Sequence, residues 1–254
     1  MTFQLLTLSA LVLLGGVISA HASEIRLNGS RTVTDIILQL HKVEIEKNSG
    51  QKILITEENS DEGVIDVATD IAQLAMISKP LDEVIEDANK DALVPVENDA
   101  MQSHKIAQAR VAFTVHKNNV VTELTLEQIK NILTGEIKNW NALGGDDQPI
   151  LVIIEKVGSP IRDIVKEALL RDSDVKAYRS EVLNVAQIPG LVSHIPNAFG
   201  VMSSGYVNDD LVALHTDSAI TRDLYYVTKG TPSADAQAVI NATKIATGVS
   251  ADQE

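Results

Sequence analysis

Apolar residues along this chain fall into two alternating patterns. Some form short, nearly unbroken β-branched runs, and others recur at helical spacing in longer stretches. The first pattern predicts buried strands and the second amphipathic helices. Strands are expected at Glu24–Leu27, Lys52–Thr56, Leu74–Ile77, Arg110–His116, Ile150–Ile154, Phe199–Met202 and Leu224–Thr228. Helices fall between them. Thr32 is expected to cap one that runs to about Lys47, with Ile36, Ile37, Leu40 and Val43 at helical spacing. Ser60-Asp61-Glu62 opens a second, its acids in the first turn where the helix dipole favours them. Thr125 and Gly135 bound Leu126–Leu133, Pro160 leads into Ile161–Leu170, and Ser233 caps Ala234–Ala246. Strands alternating with helices predict an α/β fold with mostly parallel sheets. There is no internal repeat and no low-complexity linker, so any lobes are closely joined.

The first 22 residues read differently. They contain no Asp, Glu, Lys or Arg, run apolar from Phe3 to Ile18, and end in Ala20-His21-Ala22. That pattern predicts a secretory signal cleaved after Ala22, and hence a periplasmic protein without membrane insertion. The apolar run is interrupted by Gly15-Gly16 and is shorter than the ~20 residues a membrane span needs.

Composition narrows the chemistry. The chain has 254 residues, 44% of them hydrophobic and 22% charged, which is ordinary for a protein with a packed core. The 35 acids outnumber the 21 Lys and Arg residues, for a net charge of −14. That balance argues against nucleic acid and anionic membrane surfaces, which demand a basic footprint. There is no cysteine, which excludes disulfides, thiolate metal sites and a thiol nucleophile. The six histidines form no HxH or HExxH pair and no Gly-x-Ser-x-Gly elbow occurs, so neither a metal, a cofactor nor a catalytic site is expected. Acidic pairs such as Glu57-Glu58 and Asp146-Asp147 are expected on solvated loops, and Asn28-Gly29-Ser30 is read as a turn.

Four stretches carry a resemblance. They are Leu124 to Trp140 with Leu143-Gly144-Gly145, Gly158 to Asp163, Pro196 to Val201 with Gly205-Tyr206-Val207, and Arg222 to Gly230 with Pro232-Ser233. Gly29 to Thr32 and Met76 to Leu81 add weaker matches. In this order and spacing the chain resembles the periplasmic phosphate-binding protein of the ABC phosphate importer. The resemblance implies a two-lobed type II periplasmic-binding-protein fold with mixed, mostly parallel sheets, a hinge and an interlobe cleft. Lobe one would comprise 23–116 plus 207–254 and lobe two 117–206, with crossovers near Val115–Lys117 and after Val207.

The resemblance also implies the site. Family members hold phosphate on backbone amides and Ser or Thr hydroxyls at helix N-termini, with one Asp accepting a proton and one Arg pairing with the anion. The hydroxyls fall on Thr32, after the Gly29-Ser30 turn, on Ser60, and on Ser159, after Gly158. The acceptor Asp falls on Gln73 and the Arg on Glu155; Pro160-Ile161 stands where a Gly-Thr is expected. Pro160 has no amide hydrogen to donate. Arg31, Lys79 and Arg162 lie beside the motifs as replacement cations, Arg162 foremost because it is in the first turn after Ser159. The ligand set is therefore Ser30, Thr32, Ser60, Gln73, Gly158, Ser159 and Arg162. Trp140 and Tyr206 are expected to pack in the core or hinge.

Three functions remain open at this stage. The first is a solute-binding protein carrying phosphate or a related oxyanion to a membrane ABC permease. The second is a binding-protein fold that has lost its ligand and serves another periplasmic protein as a structural or signalling partner. The third is a carrier for a neutral or cationic solute with Glu155 as counter-ion.

Overall fold

The computed structural model describes residues 23–91, 95–171 and 173–249. The expected signal, residues 1–22, lies outside the described residues. Among the described residues no helix is long and apolar enough to cross a membrane.

The first half of the molecule is built on β1 (Glu24–Ser30), which pairs in parallel with β2 (Lys52–Glu58) and β3 (Leu74–Ile77). Strand β11 (Thr221–Lys229) lies antiparallel on β3 and on the first part of β4 (Met101–His116). The second part of β4 turns to other partners, β8 (Ala198–Ser203) and β9 (Leu211–Ala213), both antiparallel. Beyond β8 the sheet continues in parallel through β6 (Leu151–Glu155) to β7 (Arg179–Val182). The order is β2-β1-β3-β11-β4-β8-β6-β7, with β9 beside β4 and a separate pair of β5 (Glu123–Leu124) and β10 (His215–Thr216).

The sheet is therefore mixed, as the resemblance implies, with parallel pairings at its two ends and antiparallel ones in the middle. The chain leaves the first half along β4 and returns through β11, so the strands at the middle of the sheet necessarily run in opposite directions. The change of partners falls between Arg110 and Val111, earlier than the crossover expected near Val115–Lys117. Likewise Leu211–Ala213, beyond the expected return at Val207, still pair with the second part of β4. Polar residues at the start of β4, from Gln102 to Lys105, mask its strand pattern, because that segment has an exposed side.

Local signals built most of the helices as expected. A continuous helical run covers α1 (Arg31–Val33), a π-helical turn (Thr34–Leu38) and α2 (Gln39–Ser49). It starts two residues earlier than predicted: Ser30 is its N-cap residue, and Thr32 already lies inside the helix. Helix α3 (Ser60–Ala68) is capped by Asn59, whose amide donates to Glu62 Oε2 at 2.9 Å. Helix α4 (Leu81–Asp91) escaped the sequence reading, although Leu81, Val84, Ile85 and Ala88 have helical spacing. Helix α5 (Leu126–Thr134) is closed by Thr125 and Gly135, and α6 (Pro160–Val165) begins at Pro160 and continues as a π-helical turn (Lys166–Leu170). Helices α7 (Ile188–His194) and α8 (Ala234–Thr247) complete the set.

Close packing fixes α3 against β1. Gly29 has φ 118°, and a Cβ there would lie 2.6 Å from the Met76 carbonyl oxygen. A Cβ on Gly63 would lie 2.5 Å from the Asn28 carbonyl oxygen. Only glycines let α3 sit this close, and so let its N-terminus reach the end of β1. In the second half Phe199 stacks on Phe113 at 5.8 Å and meets Trp140 at 6.3 Å. Trp140 is buried and its indole N–H donates to the Asn197 carbonyl at 3.1 Å, as the core reading required.

Candidate functional site

Strands β1, β2 and β3 are parallel, so their carboxyl ends open on one side of the sheet, where ligands bind in open α/β folds. Each leads directly into a helix there: Ser30 into α1, Glu58-Asn59 into α3, and Ser78 toward α4. From the second half, Gly158 and Pro160 bring the start of α6 to the same place. Together they line a cleft of about 450 Å³. Helix N-termini present unpaired N–H groups and the positive end of the dipole, which favours an anion.

The hydroxyls form a connected set. Ser30 is buried and its hydroxyl donates to Ser78 Oγ at 3.1 Å, and the Ser78 amide approaches Ser60 Oγ at 3.4 Å. Thr32 joins them at the cleft wall. Three cations reach the cleft, each held by an acid. Arg31 Nε donates to Asp35 Oδ2 at 3.1 Å, Lys79 pairs with Asp87 at 3.3 Å, and Arg222 pairs with Glu167. Glu58, Asp61, Asp87 and Asp163 also line it. Lys90 and Lys79 hold the Asp87 carboxyl below its usual value, and burial raises that of Asp163.

Of the expected ligand residues, Ser30, Thr32, Ser60 and Gly158 line this cleft. Ser159 sits just behind it as the N-cap residue of α6, 1% exposed, with no partner for Oγ among the described residues. Two expected residues are elsewhere. Arg162 is 2% exposed and is consumed by structure: it donates to the Glu155 carbonyl at 3.1 Å, to Glu181 at 2.8 Å and to Asp174 at 3.1 Å. A buried guanidinium needs such partners, and the first turn of α6 points it at them rather than at the cleft. Gln73 precedes β3 at its far end, where Oε1 accepts from the Arg26 amide at 2.9 Å. A residue entering a parallel strand lies at the end opposite the ligand side, so Gln73 cannot be an acceptor there.

Glu155 ends β6 and is 6% exposed. Burial pushes its carboxyl up to about 7, the Asp35 charge adds to this, and Arg31 opposes it. Asp35 is itself raised by burial, against the pull of Arg31. Tyr206, from the second half, donates to the Asp35 carbonyl at 3.4 Å, so it packs between the halves as expected. Glu155 thus stands in a buried group bridging the halves, not on the cleft wall.

Sequence reasoning missed Ser78, Asn59, Arg222 and Glu58 as cleft residues. Signals existed for two of them. Ser78 lies in the Met76 to Leu81 match and Arg222 in the Arg222 to Gly230 match.

Two halves meeting over a cleft ringed by helix N-termini and hydroxyls define a two-lobed α/β fold. Residues 17–253 match the PBP superfamily domain, and the chain belongs to that superfamily. It is 26% identical over 192 residues to a phosphate-binding protein PstS of Bacillus subtilis (strain 168), covering 75% of this chain and 60% of the relative. It is 24% identical over 199 residues to the phosphate-binding protein PstS of Borreliella burgdorferi, covering 74% and 66%. The chain therefore spans less than two thirds of either relative's length. Among solved structures it resembles one from Clostridium perfringens described as a phosphate ABC transporter substrate-binding protein with bound phosphate. The TM-score there is 0.62 at 27% identity, covering 87% of this chain and 92% of the other.

Proposed function

We propose that this chain is a periplasmic substrate-binding protein that holds phosphate between its two halves and presents it to a membrane ABC importer. The observation that carries the reading is the convergence of Ser30, Thr32, Ser60, Ser78 and the N-terminus of α6 on one cleft. The PstS relatives and the phosphate-bound neighbour support it. Amides and hydroxyls would grip the oxygens. Arg31 and Arg222 would supply positive charge in place of the expected arginine, since Arg162 is occupied. No nucleophile is assigned, and the role is binding rather than catalysis.

The test is thermal unfolding of the ligand-free chain with and without millimolar phosphate, against sulfate at equal ionic strength. A ligand at a hundred times its dissociation constant stabilises by about 2.7 kcal/mol, which moves the midpoint of a domain this size by roughly 5–10 °C. A phosphate-specific rise of that order is expected. A curve that neither anion moves contradicts the reading.

The four acids on the cleft wall favour a second reading, in which the fold has given up its ligand and serves a protein partner in the periplasm. The same experiment decides, because that reading requires no anion response.

A further inference from the structure

The cleft does not end at its cations. Ser78, Lys79 and Arg222 line it and also line an adjoining cavity of about 360 Å³. The wall of this second cavity is polar. Glu83 comes from α4, Gln108 from β4, Glu167 from the turn after α6, and Thr221, Asp223 and Tyr225 from β11. The room is far more than an inorganic oxyanion fills. The cleft alone is about 450 Å³. Five heavy atoms, at the ~30 Å³ share of a liquid water each, occupy on the order of 150 Å³.

The backbone fixes the wall of the second cavity. Strands β4 and β11 shift register between Leu224 and Tyr225: Leu224 lies opposite Ala107, and Tyr225 opposite Lys105. Ile106 is thus the extra residue of a β-bulge. Side chains alternate along a regular strand, which would send Lys105 and Gln108 to opposite faces. The bulge brings both to one carboxylate oxygen. Lys105 Nζ pairs with Asp223 Oδ1 at 2.8 Å, and Gln108 Nε2 donates to the same oxygen at 2.9 Å. The Tyr225 hydroxyl donates to Asp223 Oδ2 at 3.4 Å. Bulges re-aim side chains in this way beside functional sites.

The two cavities differ in chemistry. Around the first, serine hydroxyls, helix amides and cations suit a phosphoryl group. The second adds carboxylates, which only accept hydrogen bonds, and Gln108, Thr221 and Tyr225, which both accept and donate. That set suits alcohol hydroxyls, which also do both. The grip on the phosphoryl group itself is thinned in this chain. Glu155 stands where the resemblance places an arginine, and Pro160 has no amide hydrogen to donate. Hydrogen bonds in the adjoining cavity offset that loss for a ligand that reaches it.

We infer that the cleft takes phosphomonoesters of small polyols, the phosphoryl group lying at Ser30, Ser60 and Ser78 and the hydroxylated carbons in the cavity beyond Lys79 and Arg222. The inference rests on the oxyanion reading of the site and names the ligand class within it.

The experiment is calorimetric titration of the full chain, freed of bound anion, with inorganic phosphate, methyl phosphate, glycerol 3-phosphate and glucose 6-phosphate. At least one of the two polyol phosphates is expected to bind about tenfold or more tighter than inorganic phosphate, the scale of one or two net hydrogen bonds. Methyl phosphate, an ester without hydroxyls, should gain nothing over inorganic phosphate. The titrations are repeated on Gln108→Ala and Thr221→Val, two exposed positions that line the second cavity and not the first. Each should weaken polyol phosphate binding several-fold and leave inorganic phosphate binding unchanged. Polyol phosphates that bind no tighter than inorganic phosphate overturn the inference and leave the oxyanion reading standing. So does a preference that methyl phosphate shares, or one that survives in both variants. The melting midpoint of each variant is checked against the parent's, and if Gln108→Ala does not fold, Thr221→Val decides. A parent that binds none of the four overturns both the inference and the reading it rests on.

Discussion

At the scale of single residues, charge placement separates what this cleft offers from what its motifs promise. Glu155 stands where the resemblance calls for an arginine, yet it is buried with Asp35 nearby rather than set against a ligand. Its carboxyl keeps a proton to about 7 in the folded chain, against 4.5 for the unfolded group. The folded state binds more protons between those values, so this group's contribution is fully present below about 4.5 and is lost as pH rises through 7. The gap amounts to roughly 3–3.5 kcal/mol at most. Glu155→Gln should abolish that slope: its midpoint is expected to match the parent's in acid and exceed it above neutrality. Parallel midpoint curves for parent and variant across that window would contradict this. Arg162 illustrates the reverse case. Sequence shows a cation one turn from Ser159; the fold shows it already spent on Glu181 and Asp174.

At the scale of elements, the ligand side depends on how closely α3 approaches β1. The Gly63 Cα position leaves no room for a methyl beside the Asn28 carbonyl, at 2.5 Å. Gly63→Ala is expected to cost about 1–3 kcal/mol, as overpacking does, and to push Ser60 out of the hydroxyl set. Denaturant unfolding and phosphate titration on the same variant check both effects. A variant that loses stability but keeps full affinity would show that α3 does not position the site. Helix caps were legible at this scale, whereas Asn28-Gly29-Ser30 and Glu57-Glu58, expected as a turn and a solvated loop, are the paired ends of β1 and β2. Pro160, Thr125, Gly135 and Ser233 all mark helix ends in the structure as they do in the pattern. Thr32 was misplaced because Ser30 and Thr32 are both competent caps, and only the end of the β1–β2 ladder decides between them. The start of β4 was missed because a strand with one wet face carries a weak apolar signal.

At the scale of the whole molecule, the two halves share one strand and are bridged by side chains. Arg222 on β11 holds Glu167 beyond α6, and Tyr206 reaches Asp35. Glu167 is 74% exposed, and such pairs contribute roughly 0–1 kcal/mol. The pair is therefore a weak clasp, and the cation is available to a ligand at little cost. Glu167→Gln should free Arg222 and tighten phosphate binding by up to about fivefold, read by calorimetry. Looser binding in that variant would mean that the clasp itself shapes the closed cleft. Hinge closure on the ligand is the motion this layout permits. Small-angle scattering should report a smaller radius of gyration on adding phosphate, and an unchanged radius would argue for a cleft already closed.

The sequence by itself determined most of the segments that become strands and helices and where most helices begin and end; that Ser30, Thr32, Ser60 and Gly158 would share one cleft was implied only by the family resemblance. Segments and helix ends rest on local rules: periodicity, capping hydroxyls and fixed proline torsions. The tertiary structure alone decided which charges are free. It turned Arg162 and Gln73 away, buried Glu155, and set Arg222, Ser78 and Glu58 at the cleft. Partners for a charged group come from distant parts of the chain, as Glu167 does for Arg222 and Glu181 for Arg162, and no spacing along the sequence records them.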